Sequence, residues 1–330
     1  MLGQYDIVHF HRRINDPNKT VEWIKKFQEA GAIVIADIDD YWIPFKGHPV
    51  YSLVMKNKVH LQILSGLKAS DYVTTTTEIY AKHIREKANE NVQVIPNAVD
   101  HRLPMWQNTD LGSEYVRVGW IGGSSHERDL DKLKGMSNKL FTDKEVRDKI
   151  QFVMCGYDTR GTMTEVNPVT KEERTRPITA EESIWNKFED IFNDYGRIPK
   201  GQYVRRNTLP ITKYGQHYNH VDICLAPLDE HTFNECKSEL KIIETGMMEK
   251  ALIASDLYVY HDLLEHGVTG MLVDPKKNHK LWYRYIRDLV LDDAMRNEMS
   301  AALHKLVYPR YTLETVTKER CEWYKKILGR

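Results

Sequence analysis

The sequence predicts an α/β protein of two facing Rossmann-like domains, each with a parallel sheet, and a cleft between them. Short continuous apolar runs alternate with helical patterns along almost the whole chain, which is typical of strands buried on both faces of a parallel sheet. Polar residues directly follow most of these runs, as a cleft beyond the carboxyl ends of the strands would require. The length of 330 residues exceeds that of most single domains.

Four strands and three helices are expected in the first half of the chain. The apolar runs predict strands at 6–10, 32–36, 72–74 and 92–95. Helical patterns lie near 20–30, 57–69 and 78–87. A polar stretch at 104–113 shows no periodicity and is interpreted as a linker. The first domain is therefore expected at residues 1–107.

The second half repeats the alternation of strands and helices. Strands are predicted at 116–121, 151–155, 222–226, 251–254 and 270–273. Helices are predicted near 129–140, 180–195, 212–218, 240–248, 258–265 and 279–290. The second domain is expected at 108–310, and the last helix, at 311–330, is expected to pack back towards the first domain. Residues 157–177 are polar and charged, which predicts a surface loop near the cleft.

Composition excludes some classes of function. The 47 basic and 47 acidic residues balance, so no overall field indicates nucleic acid or an anionic membrane. The four cysteines are widely spaced, and Cys155 and Cys224 lie inside apolar runs, which favours buried thiols over a disulfide or a metal site. The chain opens without a signal peptide, and no apolar run is long enough to cross a bilayer. A cytoplasmic location is therefore expected.

The segment 233–255 carries the strongest functional signal. Lys237, Ser238, Lys241 and Glu244 lie near the start of a predicted helix. A helix N-terminus with two cations can hold a diphosphate, and a carboxylate one or two turns later can accept hydrogen bonds from ribose hydroxyls. The spacing alone is equally typical of an amphipathic helix with solvated lysines.

The glycine pair at Gly122 and Gly123 follows a predicted strand directly. Glycine lets the backbone approach a phosphate closely, with the amides of Ser124 and Ser125 as donors. Arg128 would add a cation. A plain turn and a solvated helix face are the alternatives.

Polar groups also follow the first two strands. His11, Arg12 and Arg13 end the first strand, and an acidic cluster at 37–40 ends the second. His11 is better placed than His9 to enter the cleft, although a structural histidine is an alternative. The arginines would bind an acceptor or a phosphate, and the carboxylates would bind an acceptor, cap a turn or hold a metal.

Several motifs resemble a known family. The segments that carry the resemblance are 6–11, 37–42, 94–100, 118–123, 233–244 and 263–273. Through them the chain is similar to GT-B glycosyltransferases of the GT4-like group (glycosyltransferase group 1), and its opening resembles a branch found in bacterial polysaccharide clusters and bacteriophage genomes. The resemblance implies transfer of a sugar from a nucleotide-sugar, most simply a UDP-sugar, to a hydroxyl, with retention and without a metal or other cofactor.

The resemblance also implies roles for individual residues. Lys237 and Lys241 would neutralise the leaving diphosphate, Glu244 would bind the ribose, and His11 would contact the donor sugar. The catalytic set is His11, Asp39, Lys237 and Lys241. The donor-binding set is Gly122, Gly123, Ser124, Arg128, Asn234, Ser238 and Glu244. The acceptor-binding set is Arg12, Asp40 and Trp42, and the acceptor would be a glycan or hydroxymethylated DNA.

Two departures from the family pattern stand out. Family members usually carry another strand and a glycine-rich turn before the one that begins at Asp6. Many also have a glutamate eight residues before the one at Glu244, where this chain has Cys236. Glu235 and Glu239 flank that position and are candidates to replace it, and Lys237 with Ser238 looks like the pattern of this branch.

Alternative functions remain at this point. A phage-type enzyme would glycosylate a hydroxymethylated base in a flipped nucleotide. Its groove would be lined by Arg12, Arg13, Lys171, Arg174, Arg176, Lys200, Arg205 and Arg206. A catalytically silent GT-B module would bind a glycan without turnover, and a sugar-nucleotide epimerase is a more distant alternative.

Overall fold

A computed structural model describes residues 2–14, 16–158, 160–166, 173–276 and 279–330. It contains two parallel sheets, one in each half of the chain, and one antiparallel hairpin. Among the described residues, no helix is both long enough and apolar enough to span a bilayer. The expectation of two parallel-sheet domains is confirmed.

The first sheet has four parallel strands in their order along the chain. They are β1 (Ile7–His11), β2 (Ile33–Asp37), β3 (Tyr72–Thr75) and β4 (Val92–Val94). The connecting helices are α1 (Thr20–Glu29), α2 (Tyr51–Lys56), α3 (Val59–Ala69) and α4 (Glu78–Lys87). The helix expected near 57–69 is α3, which begins directly after Lys58, a residue with a left-handed φ of 52°. The preceding helix α2 was not expected.

The second sheet has six parallel strands in the order β12-β11-β10-β5-β6-β9. The strands are β5 (Val116–Ile121), β6 (Ile150–Tyr157), β9 (Tyr203–Asn207), β10 (Ile223–Ala226), β11 (Ala251–Ser255) and β12 (Met271–Val273). The helices are α5 (Glu127–Leu130), α6 (Met136–Thr142), α7 (Ile184–Asn193), α8 (Thr232–Glu235), α9 (Leu240–Met247), α10 (Tyr258–Leu263), α11 (His279–Leu291) and α12 (Asp293–Val307). Because β5 has β6 on one side and β10 on the other, the strand order reverses there, and ligands bind beyond such a point.

Several segments of the second half differ from the sequence expectations. The helix expected near 129–140 is divided into α5, a 3₁₀ turn at Asp131–Leu133 and α6. Within 157–177, the expected surface loop contains an antiparallel hairpin of β7 (Thr162–Val166) and β8 (Glu173–Pro177). The edge strand β9 was not expected, because Arg205 and Arg206 interrupt its apolar pattern. The segment Ile211–His220 is a 3₁₀ helix.

Two residues of the expected first domain pack with the second half of the chain, while the expected bounds at 107 and 108 stay a prediction. Val99 and Trp106 are buried in the hydrophobic core of the second domain. Beyond the second domain, α13 (Leu313–Ile327) contacts the first sheet, where the Tyr324 hydroxyl lies 2.6 Å from Nδ1 of His9. The chain therefore passes between the two sheets twice, once after β4 and once through α13.

Candidate functional site between the two domains

At Gly122, directly after β5, the surrounding atoms leave no room for a side chain. A Cβ on Gly122 would lie 2.3 Å from the ring of Trp120, so only glycine fits there. The neighbouring Gly156 has a φ of 103°, and a Cβ on it would lie 2.2 Å from the Gly122 carbonyl oxygen. Two glycines therefore allow the ends of β5 and β6 to come together at the reversal point.

A small cavity of about 160 Å³ lies beside this backbone. The start of α9 lines it through Leu240 and Lys241, together with Lys237 and Ser238 just before the helix. Asp40 lines it from the first domain. The first amides of a helix lack partners within the helix and carry partial positive charge, so the cavity suits an anion.

Lys237 is the best-placed cation in this cavity. Its Nζ lies 3.7 Å from Oδ2 of Asp129 and 3.4 Å from Nδ1 of His126, and its side chain is 18% exposed. Burial lowers the pKa of Lys237, although Asp129 and Asp40 act in the opposite direction. A bound phosphate would add the negative charge that this partly dehydrated ammonium lacks.

Lys241 and Glu244 form a buried pair one helical turn apart. Nζ of Lys241 donates to Oε2 of Glu244 at 2.9 Å and to the Tyr214 hydroxyl at 2.6 Å. The Tyr218 hydroxyl donates to the same Glu244 oxygen at 2.6 Å. Burial acts to lower the pKa of Lys241, but Glu244 and Tyr214 outweigh it and raise that pKa. Lys241 therefore stays charged, and its charge is balanced within the protein.

His126 and Asp129 belong to the site but were not singled out from the sequence. Nδ1 of His126 lies 2.7 Å from Oδ2 of Asp129. Burial lowers the pKa of His126, and the charge of Lys237 acts in the same direction. The sequence did contain a signal for this pair. The two residues are three positions apart at the start of a helix that follows the glycine pair, and residues at this spacing share a helix face.

The remaining predicted donor residues fall into two groups. Asn234 is buried, and its Nδ2 donates to Oδ1 of Asp129 at 2.7 Å and to the Asp229 carbonyl at 2.9 Å, so it holds a loop in place. Gly122, Gly123, Ser124 and Arg128 line a second, larger cavity. Arg128 is paired with Asp229 at 2.7 Å.

Glu235 and Glu239 do not line either cavity. Glu235 forms an ion pair with His83 of the first domain at 3.3 Å. Glu239 is buried, and its Oε1 accepts from the Asn97 amide at 3.2 Å. Both are thus engaged with residues of the first half of the chain. Glu244 is also buried and lines neither cavity.

The predicted residues of the first domain form one charged cluster at the edge of its sheet. Nη2 of Arg12 donates to both Asp39 and Asp40 at 2.9 Å, and Nε2 of His11 lies 3.0 Å from Oδ1 of Asp39. Burial acts to raise the pKa of Asp39, but Arg12 and His11 outweigh it and lower that pKa. The structure thus brings His11, Arg12, Asp39 and Asp40 together.

Trp42 does not belong to this cluster. Its ring is 4% exposed and packs against Tyr41 and Tyr80 in the core of the first domain. The assignment of Trp42 to acceptor binding is therefore corrected, because a buried ring offers too little surface to a ligand.

Three of the six arginines expected to line a DNA groove have acidic partners. Arg176 forms two bonds with Glu182, Arg205 pairs with Glu189, and Arg12 pairs with the aspartates described above. Lys171 lies outside the described residues. These three paired arginines offer little net charge to a phosphate backbone, whereas Arg13 donates to the neutral amide of Gln62 at 3.0 Å.

Comparison with solved structures identifies the architecture. The chain superimposes on sucrose-phosphate synthase from Thermosynechococcus elongatus with a TM-score of 0.67 and 12% identity, over 98% of this chain and 74% of that one. HepE of Anabaena in complex with UDP superimposes with a TM-score of 0.64 and 14% identity, over 98% of this chain and 79% of that one. A glycosyltransferase from Rickettsia africae superimposes with a TM-score of 0.61 and 16% identity, over 98% of this chain and 77% of that one.

No protein-family model and no curated protein sequence matches the chain. At these low identities, the likeness to solved structures establishes the architecture alone. The resemblance found in the sequence is confirmed at that level: the chain has the GT-B fold.

Proposed function

We propose that this protein is a glycosyltransferase that moves a sugar from a nucleotide-sugar donor to a hydroxyl acceptor. The observation that carries the proposal is the 160 Å³ cavity, which places Lys237 and the start of α9 opposite Asp40 at the reversal point of a GT-B fold. HepE, which shares this fold, is described in complex with UDP and with UDP-glucose. A UDP-sugar is accordingly the first donor to test.

In the proposed reaction, Lys237 and the helix amides stabilise charge that develops on the diphosphate. The bond between the anomeric carbon and the diphosphate oxygen breaks, and the acceptor oxygen bonds to the same carbon. The acceptor proton passes to the leaving diphosphate on the same face, so the sugar keeps its configuration without a dedicated protein base. Cations that meet this charge more strongly in the transition state accelerate the step.

Glu244 and Lys241 have a supporting role in this scheme. The hydroxyls of Tyr214 and Tyr218 both donate hydrogen bonds to Glu244. Ribose hydroxyls of the donor would take over part of this hydrogen bonding. Lys241 lies 2.9 Å from Glu244. Once the ribose takes part of the hydrogen bonding of Glu244, the Lys241 ammonium would interact more strongly with the diphosphate.

A first experiment separates turnover from binding alone. The full chain is heated with UDP, GDP, ADP or CDP in EDTA, and the matching nucleotide-sugars are followed by mass spectrometry. Stabilisation by one nucleotide with slow donor hydrolysis in EDTA is the expected result. Stabilisation without hydrolysis or transfer would instead identify a silent binding module, and a requirement for Mg²⁺ or Mn²⁺ would overturn the metal-free mechanism.

A further inference from the structure

One stretch of the first domain carries positive charge only. Residues 41–70 contain no aspartate and no glutamate, so all 47 acidic residues lie elsewhere in the chain. The stretch covers α2 and α3 and holds four exposed lysines, Lys46, Lys56, Lys58 and Lys68. A chain whose charges balance overall therefore has a local positive surface, which attracts anionic partners.

The same stretch exposes aliphatic side chains. Val50 is 43% exposed, Leu53 60% and Leu61 48%. Twelve large apolar side chains are exposed among the described residues, and three of them lie within residues 50–61. Helix α2, all of whose residues are described, contains no buried residue. Single exposed apolar residues are ordinary, whereas a group of them marks a contact surface.

Helix geometry places the aliphatic residues next to the lysines. Val50, Leu53 and Lys56 follow one another at intervals of three, so they share one side of α2. Lys58, the N-cap of α3, and Leu61 are spaced in the same way. We call these five residues, together with Lys46, the α2–α3 face.

Neighbouring elements leave the α2–α3 face positive. Helix α1 lies beside α3, and its Glu22 is already paired with Lys26 of the same helix at 2.6 Å. Arg13 adds a further cation beside α3, where its Nη1 donates to Oε1 of Gln62 at 3.0 Å. The charge of the lysines is therefore available to an outside partner.

We propose that the α2–α3 face docks the protein on an anionic lipid surface. The lysines would meet the headgroup charge, and Val50, Leu53 and Leu61 would enter the boundary between headgroups and acyl chains. A second copy of the chain fits poorly, because a two-fold contact would set the same lysines against each other. Nucleic acid fits poorly as well, because its phosphate backbone offers aliphatic side chains no apolar surface.

This docking is independent of the proposed glycosyl transfer, but it bears on where the protein acts. The α2–α3 face begins beside the cleft, since Phe45 and Pro49 line the larger cavity at the end of β5. A bilayer that binds the face would therefore lie next to the candidate site.

Vesicle sedimentation tests the proposal with the full chain. One set of vesicles contains phosphatidylcholine alone, and the other contains equal parts of phosphatidylcholine and phosphatidylglycerol. We expect the anionic vesicles to bind the chain at least about tenfold more tightly than the neutral ones. Added salt should weaken this binding, because it screens the charge of the lysines.

A pair of charge variants tests whether the lysines of the face carry the binding. Each lysine near an anionic surface contributes roughly fivefold in affinity, so Lys46→Gln combined with Lys58→Gln should weaken vesicle binding by roughly 10- to 30-fold. The matched control combines Lys144→Gln with Lys305→Gln, which removes two exposed lysines of the second half of the chain. The control should bind vesicles as the unaltered chain does.

A second pair of variants separates a lipid surface from nucleic acid. Leu53→Ser should weaken vesicle binding several-fold, because it removes an apolar contact, whereas Leu111→Ser, at a leucine that is 49% exposed, should change nothing. Duplex DNA is titrated into the same proteins. Binding of DNA that is tighter than that of the vesicles and unaffected by Leu53→Ser would assign the face to nucleic acid and overturn the proposal.

Equal binding to neutral and anionic vesicles would also overturn it, and so would equal losses in the face variants and their controls. Thermal stabilisation by UDP is measured on the same samples. Stabilisation by UDP without vesicle binding would remove this inference and leave the proposed function standing. Vesicle binding without a response to any nucleotide would do the reverse.

Discussion

Asp129 and Asn234 lie 105 residues apart in the chain, yet Oδ1 of Asp129 accepts a hydrogen bond from Nδ2 of Asn234 at 2.7 Å. The same oxygen accepts from the Asp229 amide at 2.8 Å. One buried carboxylate therefore fixes the loop after β10 to the start of α5. Its second oxygen faces His126 and Lys237, so Asp129 positions the cation on which the proposed function depends.

Replacement of Asp129 by alanine should affect stability and ligand binding together. Asn234 and Lys237 would lose a buried acceptor, and the loss of one partner in such a network costs roughly 3–5 kcal/mol. Urea denaturation measures the cost, and calorimetry with UDP measures the affinity. Asp131→Ala, which removes a half-exposed carboxylate paired with Lys134, should cost about 0–1 kcal/mol. Equal effects of the two substitutions would refute the positioning role.

Lys237→Ala and Glu244→Ala should weaken donor binding. A hydrogen bond to a charged group contributes roughly 1.5–3 kcal/mol, so we expect UDP affinity to fall about 10- to 100-fold in each. Far-ultraviolet circular dichroism should be unchanged for Lys237→Ala. Lys25→Ala, on the exposed surface of α1, is the matched control. Unaltered UDP affinity in both site variants would rule out the assigned donor site.

Glu239 should make stability depend on pH. Burial raises the pKa of Glu239 from 4.5 to about 7, so between these values the folded chain holds a proton that the unfolded chain has lost. The free energy of unfolding therefore falls by roughly 3 kcal/mol as the pH rises through this window, and this contribution is constant above it.

Glu239→Gln isolates that contribution. Urea denaturation of both proteins at pH 5, 6, 7 and 8 gives the difference in unfolding free energy at each pH. We expect the variant to gain stability relative to the unaltered chain as the pH rises, because an amide cannot ionise. A difference that stays constant across the four pH values would contradict the buried, proton-binding state of this carboxyl.

Trp42→Ala distinguishes a core side chain from an acceptor contact. The removal of a large buried aromatic costs roughly 3–5 kcal/mol, and this loss should be seen without any ligand. Tyr5→Ala is the control, since that ring is 63% exposed and its removal should cost little. A stable Trp42→Ala protein with weakened acceptor binding would restore the original assignment of Trp42.

The sequence predicted nine of the ten strands of the two parallel sheets, because burial on both faces leaves continuous apolar runs, as in Ile33–Asp37 and Ala251–Ser255. It missed β9, whose edge position tolerates arginines. The sequence also did not show that Trp42 is buried, since an aromatic residue after a strand is as typical of a hydrophobic core as of a ligand-binding surface. Asp129 escaped notice because two of its partners, Asn234 and Lys237, lie at distant positions of the chain and meet it only in the folded molecule.

The loop that carries Lys237 is anchored in both domains. Cys236 is fully buried among Tyr41, Trp42 and Tyr80 of the first domain, whereas Asn234 is held by Asp129 of the second. Neither domain can melt without removing a support from the other. We therefore expect calorimetry to record a single cooperative unfolding transition. A destabilising substitution in the core of the first domain should also lower the affinity for nucleotide, although it does not contact the nucleotide.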